Sequence, residues 1–187
     1  IDAMYGASVS LAAVGKMQEA EASFRNALEL APNDNDVLRD FGVMYYNQGN
    51  LRQAGVYLKR AYAVNDTDPD TMLRLAKCYE EEGSYREALD LYLKYRTRNP
   101  GDINIYYNIA MMYGRTGDNG MSHYNFGIFF KKKGKTDSAI HHFEQALKLF
   151  VPGSEKYAEI SAEIEALKKP RKPSPTPGDP RSPGRKA

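Results

Sequence analysis

The chain has 187 residues, 42% of them hydrophobic and 27% charged, enough for one domain or one short repeat array with a shared core. No apolar run approaches the roughly 18–20 residues that span a bilayer, and a single cysteine, Cys78, excludes an internal disulfide, which fits a reducing compartment such as the cytoplasm and equally any protein whose core needs no staple. The net charge of +2 divides into a mildly acidic body at −3 and a basic end, residues 169–187, at +5.

The chain opens on Ile1 within a helical pattern, as a fragment or processed product would, so its start says nothing of the compartment. Gly15, Gly49, Gly83 and Gly117 then follow at steps of 34 residues. Ala20, Ala54 and Ala88 each stand five residues after a glycine, and Phe24, Leu58 and Tyr92 four residues further on. Apolar positions keep helical spacing, as in Tyr85, Ala88, Leu89 and Tyr92. Pro32, Pro69, Pro100 and Pro152 fall at the connections, where a missing N–H does no harm. These marks predict pairs of helices joined at glycines able to take positive φ. Small residues on each first helix (Gly42, Ala76, Ala110, Gly127) let the second approach closely.

After Gly117 the phase slips by half a period, because the next turn glycine, Gly134, comes 17 residues later. Residues 119–133 therefore answer to two descriptions. As a second helix they offer Ser122, Phe126 and Phe129 at the right offsets from Gly117; as a first helix they offer Phe126, Gly127 and Phe130 ahead of Gly134. The second-helix reading is preferred, and the choice decides which helix faces inward beyond residue 118. Ala139, Phe143 and Ala146 resume the second-helix pattern. A last helix over 154–168 sets Tyr157, Ile160, Ile164 and Leu167 on one face and charges on the rest, as a terminal cap requires. Residues 170–187 hold six prolines with Ser, Gly and basic residues, a composition that predicts disorder.

A 34-residue period with these landmarks resembles the tetratricopeptide repeat (TPR). The second repeat carries the likeness in Leu38, Phe41, Gly42, Tyr45, Gly49, Ala54, Leu58 and Ala61. In the third it is Met72, Leu75, Ala76, Tyr79, Gly83, Ala88, Tyr92 and Pro100; the family's tryptophan is absent from every repeat. The resemblance implies an all-α, right-handed superhelix of about ten helices with repeats near 1–34, 35–68, 69–102 and 103–118, the slipped unit 119–150, and a cap. It also implies a protein or peptide partner held in a groove lined by the first helices. The matching residues include Arg39, Tyr46 and Asn47, then Lys77, then Tyr107, Asn108, Met111 and Arg115. Cations, amides and amphipathic aromatics of this kind suit a peptide's backbone, carboxylates and side chains. The clamp by which some members grip a chaperone's terminal carboxylate is not expected: Tyr5, Val9, Arg39 and Val43 stand where its lysines and asparagines belong, and only Asn108 fits.

More narrowly, the run SHYNFGIFFKKKGKTDSAIHHFEQALKLF and the stretch NDNDVLRDFGVMYYNQG resemble the C-terminal TPR region of bacterial H-E-x-x-H zinc metallopeptidases. That likeness implies a substrate- or partner-docking role, in the periplasm or envelope, for a protease domain outside this chain.

The remaining chemistry reads as structural. His141 and His142 are adjacent on a helix, point about 100° apart and cannot chelate one ion together, and no ligand cluster surrounds them or His123. No metal, cofactor or catalytic constellation is expected, so the chain reads as a non-enzyme. Cys78 fits a small core position, and Lys131, Lys132 and Lys133 a solvated helix end. The basic tail lacks interleaved aromatics, which argues against specific nucleic-acid binding. The leading expectation is a binding scaffold; a protease-docking region and a self-assembling array whose ends stack on other copies are the alternatives.

Overall fold

The structure, a computed structural model, describes residues 2–169. The expected disorder beyond residue 169 lies outside the described residues. Ten helices follow in chain order: α1 (Asp2–Ala13), α2 (Met17–Leu30), α3 (Asn35–Asn47), α4 (Leu51–Val64), α5 (Pro69–Glu81), α6 (Tyr85–Arg98), α7 (Asn104–Arg115), α8 (Asn119–Lys132), α9 (Thr136–Leu147) and α10 (Glu155–Lys168). Each packs on its chain neighbours, and α3 also touches α1 and α5, so the molecule is a solenoid and not a closed bundle. The expected all-α superhelix is the observed fold.

The glycine turns explain the hairpins. Gly15, Gly49, Gly83, Gly117 and Gly134 all have φ between 73° and 90°. In each turn the N–H of the residue after the glycine bonds a carbonyl five residues back, as in Asn50 N to Tyr45 O at 2.9 Å and Lys135 N to Phe130 O at 2.9 Å. This is the Schellman closure, which satisfies a helix's last carbonyls and needs a left-handed residue at its centre. The connections after α2, α4, α6 and α9 are longer, and those after α2, α4 and α9 end in side-chain caps, where Asp34, Asp68 and Ser154 accept N–H bonds from Val37, Thr71 and Tyr157. Pro69 opens α5, where its fixed φ suits the first turn.

Two apolar cores result. The larger runs from α1 to α7 through Phe24, Phe41, Leu58, Leu75, Tyr92 and Ile109; the smaller joins Phe143, Ile160 and Ile164 with Tyr124 and Ile128. Between them the α7–α8 seam is small and polar: Gly114 faces Ser122, Ala110 is buried, and Asn125 is fully buried with its Nδ2 donating to Met121 O at 2.8 Å. On α10, Ile160 and Ile164 are buried against α9 while Glu155 and Glu165 are exposed, as a cap should be.

Helix α8 fits both readings of the phase slip: Ser122 packs on Gly114 of α7 as the preferred second-helix reading expects, while its α9 side serves as a first helix. It closes a hairpin with α7, yet packs on α9 in the register of a first helix. Phe126 stays half-exposed, whereas Phe24, Leu58 and Tyr92 at the same offset are buried. Gly127 instead provides the close approach, to Phe143 on α9, as Gly42 does to Leu58.

Candidate functional site

The first helices α1, α3, α5 and α7 present the face that the sequence marked as a groove. Its strongest feature is a charge network across α1, α3 and the start of α5. Arg39, with only 18% of its side chain exposed, bonds Asp40 at 2.8 Å and Asp36 at 2.7 Å and lies 3.6 Å from Asp68. Tyr5 donates to Asp40 at 2.7 Å, and Asn35 to Asp68 at 3.4 Å. Burial and the bond to Asp40 push the Tyr5 phenol up to about 12. Burial opposes charge on Arg39, but Asp40, Asp36 and Asp68 outweigh it and raise its affinity for the proton. Arg39 therefore ties first helix to first helix, with its Nε and Nη1 donors engaged.

Beside this network a cleft of about 280 Å³ opens among Val9, Ala12 and Ala13 of α1, Met17 and Phe24 of α2, and Asp40, Val43, Met44 and Asn47 of α3. Its walls are mostly apolar, with Asn47 and Asp40 supplying polar groups. Val9 is 39% exposed at its mouth. Tyr46 is half-buried near Glu81, burial and that charge raising its phenol pKa. Lys77 on α5 and Asn108 and Met111 on α7 are half-buried along the same run of first helices. Arg115 is exposed, its guanidinium 5.7 Å from the Tyr85 ring centre.

Tyr107, 44% exposed, leans toward α8, its ring 5.5 Å edge-on from Phe126 and 5.5 Å from Phe129. The site residues thus form two groups. Tyr46 and Asn47 share the first cleft's neighbourhood with Val43, while Tyr107 begins an aromatic ridge with α8.

Sequence reasoning missed what α8 assembles. His123 and His142, read separately, meet across α8 and α9 with Nδ1 atoms 3.1 Å apart, and the His142 ring stacks on Phe130 at 5.2 Å. Burial, followed by the neighbouring histidines, lowers the pKa of both. The signal lay in the Gly127–Phe143 pairing, since His123 is one helical turn before the glycine and His142 adjoins the phenylalanine. Among the described residues no group of three or more His, Cys, Asp or Glu is arranged to hold a metal. Cys78 is buried, its Sγ 3.5 Å from Leu51 O, and burial pushes its thiol up to about 11, away from the thiolate a nucleophile needs. No helix among the described residues is long and apolar enough to cross a membrane.

Tetratricopeptide-repeat models match residues 5–70, 45–110 and 122–150, the last covering most of the α8–α9 hairpin. The chain is built of TPRs. Solved TPR-like structures share the fold. MamA from Desulfovibrio magneticus RS-1 superposes with a TM-score of 0.68 at 12% identity, covering 89% of this chain and 92% of that one. YrrB, described as a TPR protein with an unusual peptide-binding site, gives 0.64 at 22% identity over 76% of this chain and 73% of its own. The anaphase-promoting complex subunit CDC16 of Saccharomyces cerevisiae is 28% identical over 154 residues, 82% of this chain. The general transcriptional corepressor trfA of Dictyostelium discoideum is 26% identical over 106 residues, 56% of the chain. The chain spans only 17% of the first and 8% of the second. TPR proteins are a class of protein-interaction scaffold, so the TPR fold implies a protein partner.

Proposed function

We propose that this TPR array binds a segment of a protein partner along the face of α1, α3, α5 and α7, with the cleft at Val9, Val43 and Asn47 as its anchor point. The observation that supports it most is that cleft: mostly apolar walls left open to water beside side chains that can hydrogen-bond a peptide backbone. With Arg39 engaged by three carboxylates, its role is to fix the spacing of α1, α3 and α5. Asp36, Asp40, Asp68, Glu80 and Glu81 outnumber Arg39, Lys77 and Arg115 on this face, which favours a segment joining an apolar anchor to basic flanks. Tyr46, Asn47, Lys77, Asn108, Met111 and Tyr107 line the path from that anchor toward α7.

The test is capture of partners from the native cell by crosslinking, comparing the natural chain with Val43→Asp and with Tyr46→Ala plus Tyr107→Ala. Val43 is half-buried at the cleft wall, so each variant's helical circular dichroism is read first. Loss of the same crosslinked partners from helical variants supports the groove. An unchanged partner set contradicts it.

The resemblance read in residues 33–49 and 122–150 to the TPR region of bacterial zinc metallopeptidases motivates a narrower version, in which the bound segment is a substrate or partner of a protease domain in the same polypeptide. A parent gene without H-E-x-x-H upstream of Ile1 would end that version. A self-assembling array is the other reading, favoured by the exposed apolar side chains Met4, Val9 and Val14 in and just after α1. Light scattering over a concentration series decides it.

A further inference from the structure

The first-helix register of α8 turns the hollow of the solenoid to the other side of the molecule. Tyr5 and Tyr124 each stand ten residues before a turn glycine, and each donates its phenol to a carboxylate 35 residues on, Asp40 and Glu159 respectively. Tyr124, Ile128 and Lys131 thus occupy on α8 the offsets held on α1 by Tyr5, Val9 and Ala12. On α8, however, that face lies opposite the Phe126 side that meets Tyr107 and the first groove. It opens beside Arg96 of the second helix α6, together with Tyr106 and Lys132, around a cleft of about 440 Å³ closed at one end by Glu163 of α10.

The two hollows differ in sign. Around the second, Lys131 is held by Glu163 at 2.5 Å. Arg96 and Lys132 have no ion-pair partner among the described residues; instead their cations lie 5.8 Å and 5.2 Å from the centre of the Tyr106 ring. Two cations without carboxylates, set on one tyrosine and next to a second, make a site that attracts carboxylates and can pack their stems. The first groove, where Asp36 and Asp40 already engage Arg39 and Glu80 and Glu81 add further carboxylates, would favour the same ligand less.

We propose that this second groove, formed by α6, α7, α8 and α10, binds an acidic segment of a protein, independently of the segment held at Val43. Arg96 and Lys132 pair with its Asp or Glu side chains. Tyr106, Tyr124 and Ile128 pack against an apolar residue set among them. One chain then holds two partner segments of opposite charge on opposite faces.

The test uses the chain of 187 residues and a fluorescein-labelled peptide of Asp and Glu around one central Phe, read by anisotropy at low salt. A counterpart with Lys for each acid serves as control. The acidic peptide is expected to bind, more weakly as salt rises, and Arg96→Glu with Lys132→Glu to weaken it about tenfold, as two solvent-facing charge contacts reversed would do. Val43→Asp is expected to leave that affinity unchanged, which separates this site from the first groove. Arg96→Gln with Lys132→Gln, which introduces no repulsion, is expected to give an intermediate loss with the helical signal retained. Equal binding by the natural chain and the reversed variant overturns the proposal. So does preference for the lysine peptide, and so does tighter binding of a single-stranded DNA oligonucleotide of equal charge, which would mark the patch as a general polyanion surface.

Discussion

A Cβ added to Gly127 would lie 2.5 Å from the ring of Phe143, just as one added to Gly42 would lie 2.7 Å from Cγ of Leu58, and in both cases the partner is 16 residues ahead. The two contacts are the same joint, made once in the regular part of the array and once after the phase slip. Gly127→Ala and Gly42→Ala should each destabilise the chain by about 2 kcal/mol, the cost of forcing a methyl into a packed contact. Gly6, within α1, has nothing within 4 Å of its added Cβ. Gly6→Ala should therefore stabilise slightly, by roughly 0.5–1 kcal/mol from helix propensity alone. Thermal or urea unfolding of the three variants checks the contrast.

Gly134 has φ 73° and nothing near its Cβ, so its requirement is conformational and not steric. Gly134→Ala should cost about 1–2 kcal/mol through the left-handed backbone. Gly134→Asn should recover part of the loss, because asparagine tolerates that region better. Hydrogen exchange should show the loss in α8 and α9, while the protection of α3 and α4 is unchanged.

The His123–His142 contact predicts a pH dependence. Their pKa values are lowered in the folded state by burial and then by the neighbouring histidines. On acidification the unfolded chain takes up protons first, so folded stability is full above the ordinary imidazole pKa of about 6.5 and falls as pH drops below it. Melting temperatures should decline between about pH 7 and pH 5. In His123→Gln with His142→Gln the decline over that window should be smaller, since the remaining acid sensitivity belongs to carboxylates such as Asp68 and Glu159, which titrate lower. A variant that melts in parallel with the natural chain would remove the histidines from the account.

Arg39 illustrates how much of the site was legible. Its position on a first helix, and so its place on the inner face, followed from the glycine period. What the period could not convey was that Asp36, Asp40 and Asp68, on two helices, converge on it. Pairings between first helices depend on rotamers and on the pitch of the array. Arg39→Met should destabilise by about 2 kcal/mol by leaving carboxylates crowded and unpaired, whereas Arg115→Met, at an exposed contact with Tyr85, should change stability by less than about 0.5 kcal/mol. Denaturant midpoints compare them.

The helices themselves were readable because each landmark has a local cause: a left-handed glycine closes a turn, a small residue admits its neighbour, and a proline marks a connection. The second groove was less so. Residues 119–133 satisfy two offsets at once, and only burial separates them. Phe126 fits the second-helix slot in sequence, yet the seam with α7, built from Gly114, Ser122 and Asn125, leaves no apolar hole for it. The histidine pair was hidden for the same reason, since it exists only once Gly127 has met Phe143.

Helix α8 faces α10 as one first helix faces the next, and solution NMR with selectively labelled tyrosine and phenylalanine tests this directly. Cross-peaks from the Tyr124 ring to Phe143, Lys156 and Glu159, with Phe126 seen by Tyr107, are the predicted result. Cross-peaks from Tyr124 to Tyr107, with Tyr124 no longer seen by Phe143 and Phe126 no longer seen by Tyr107, would contradict it.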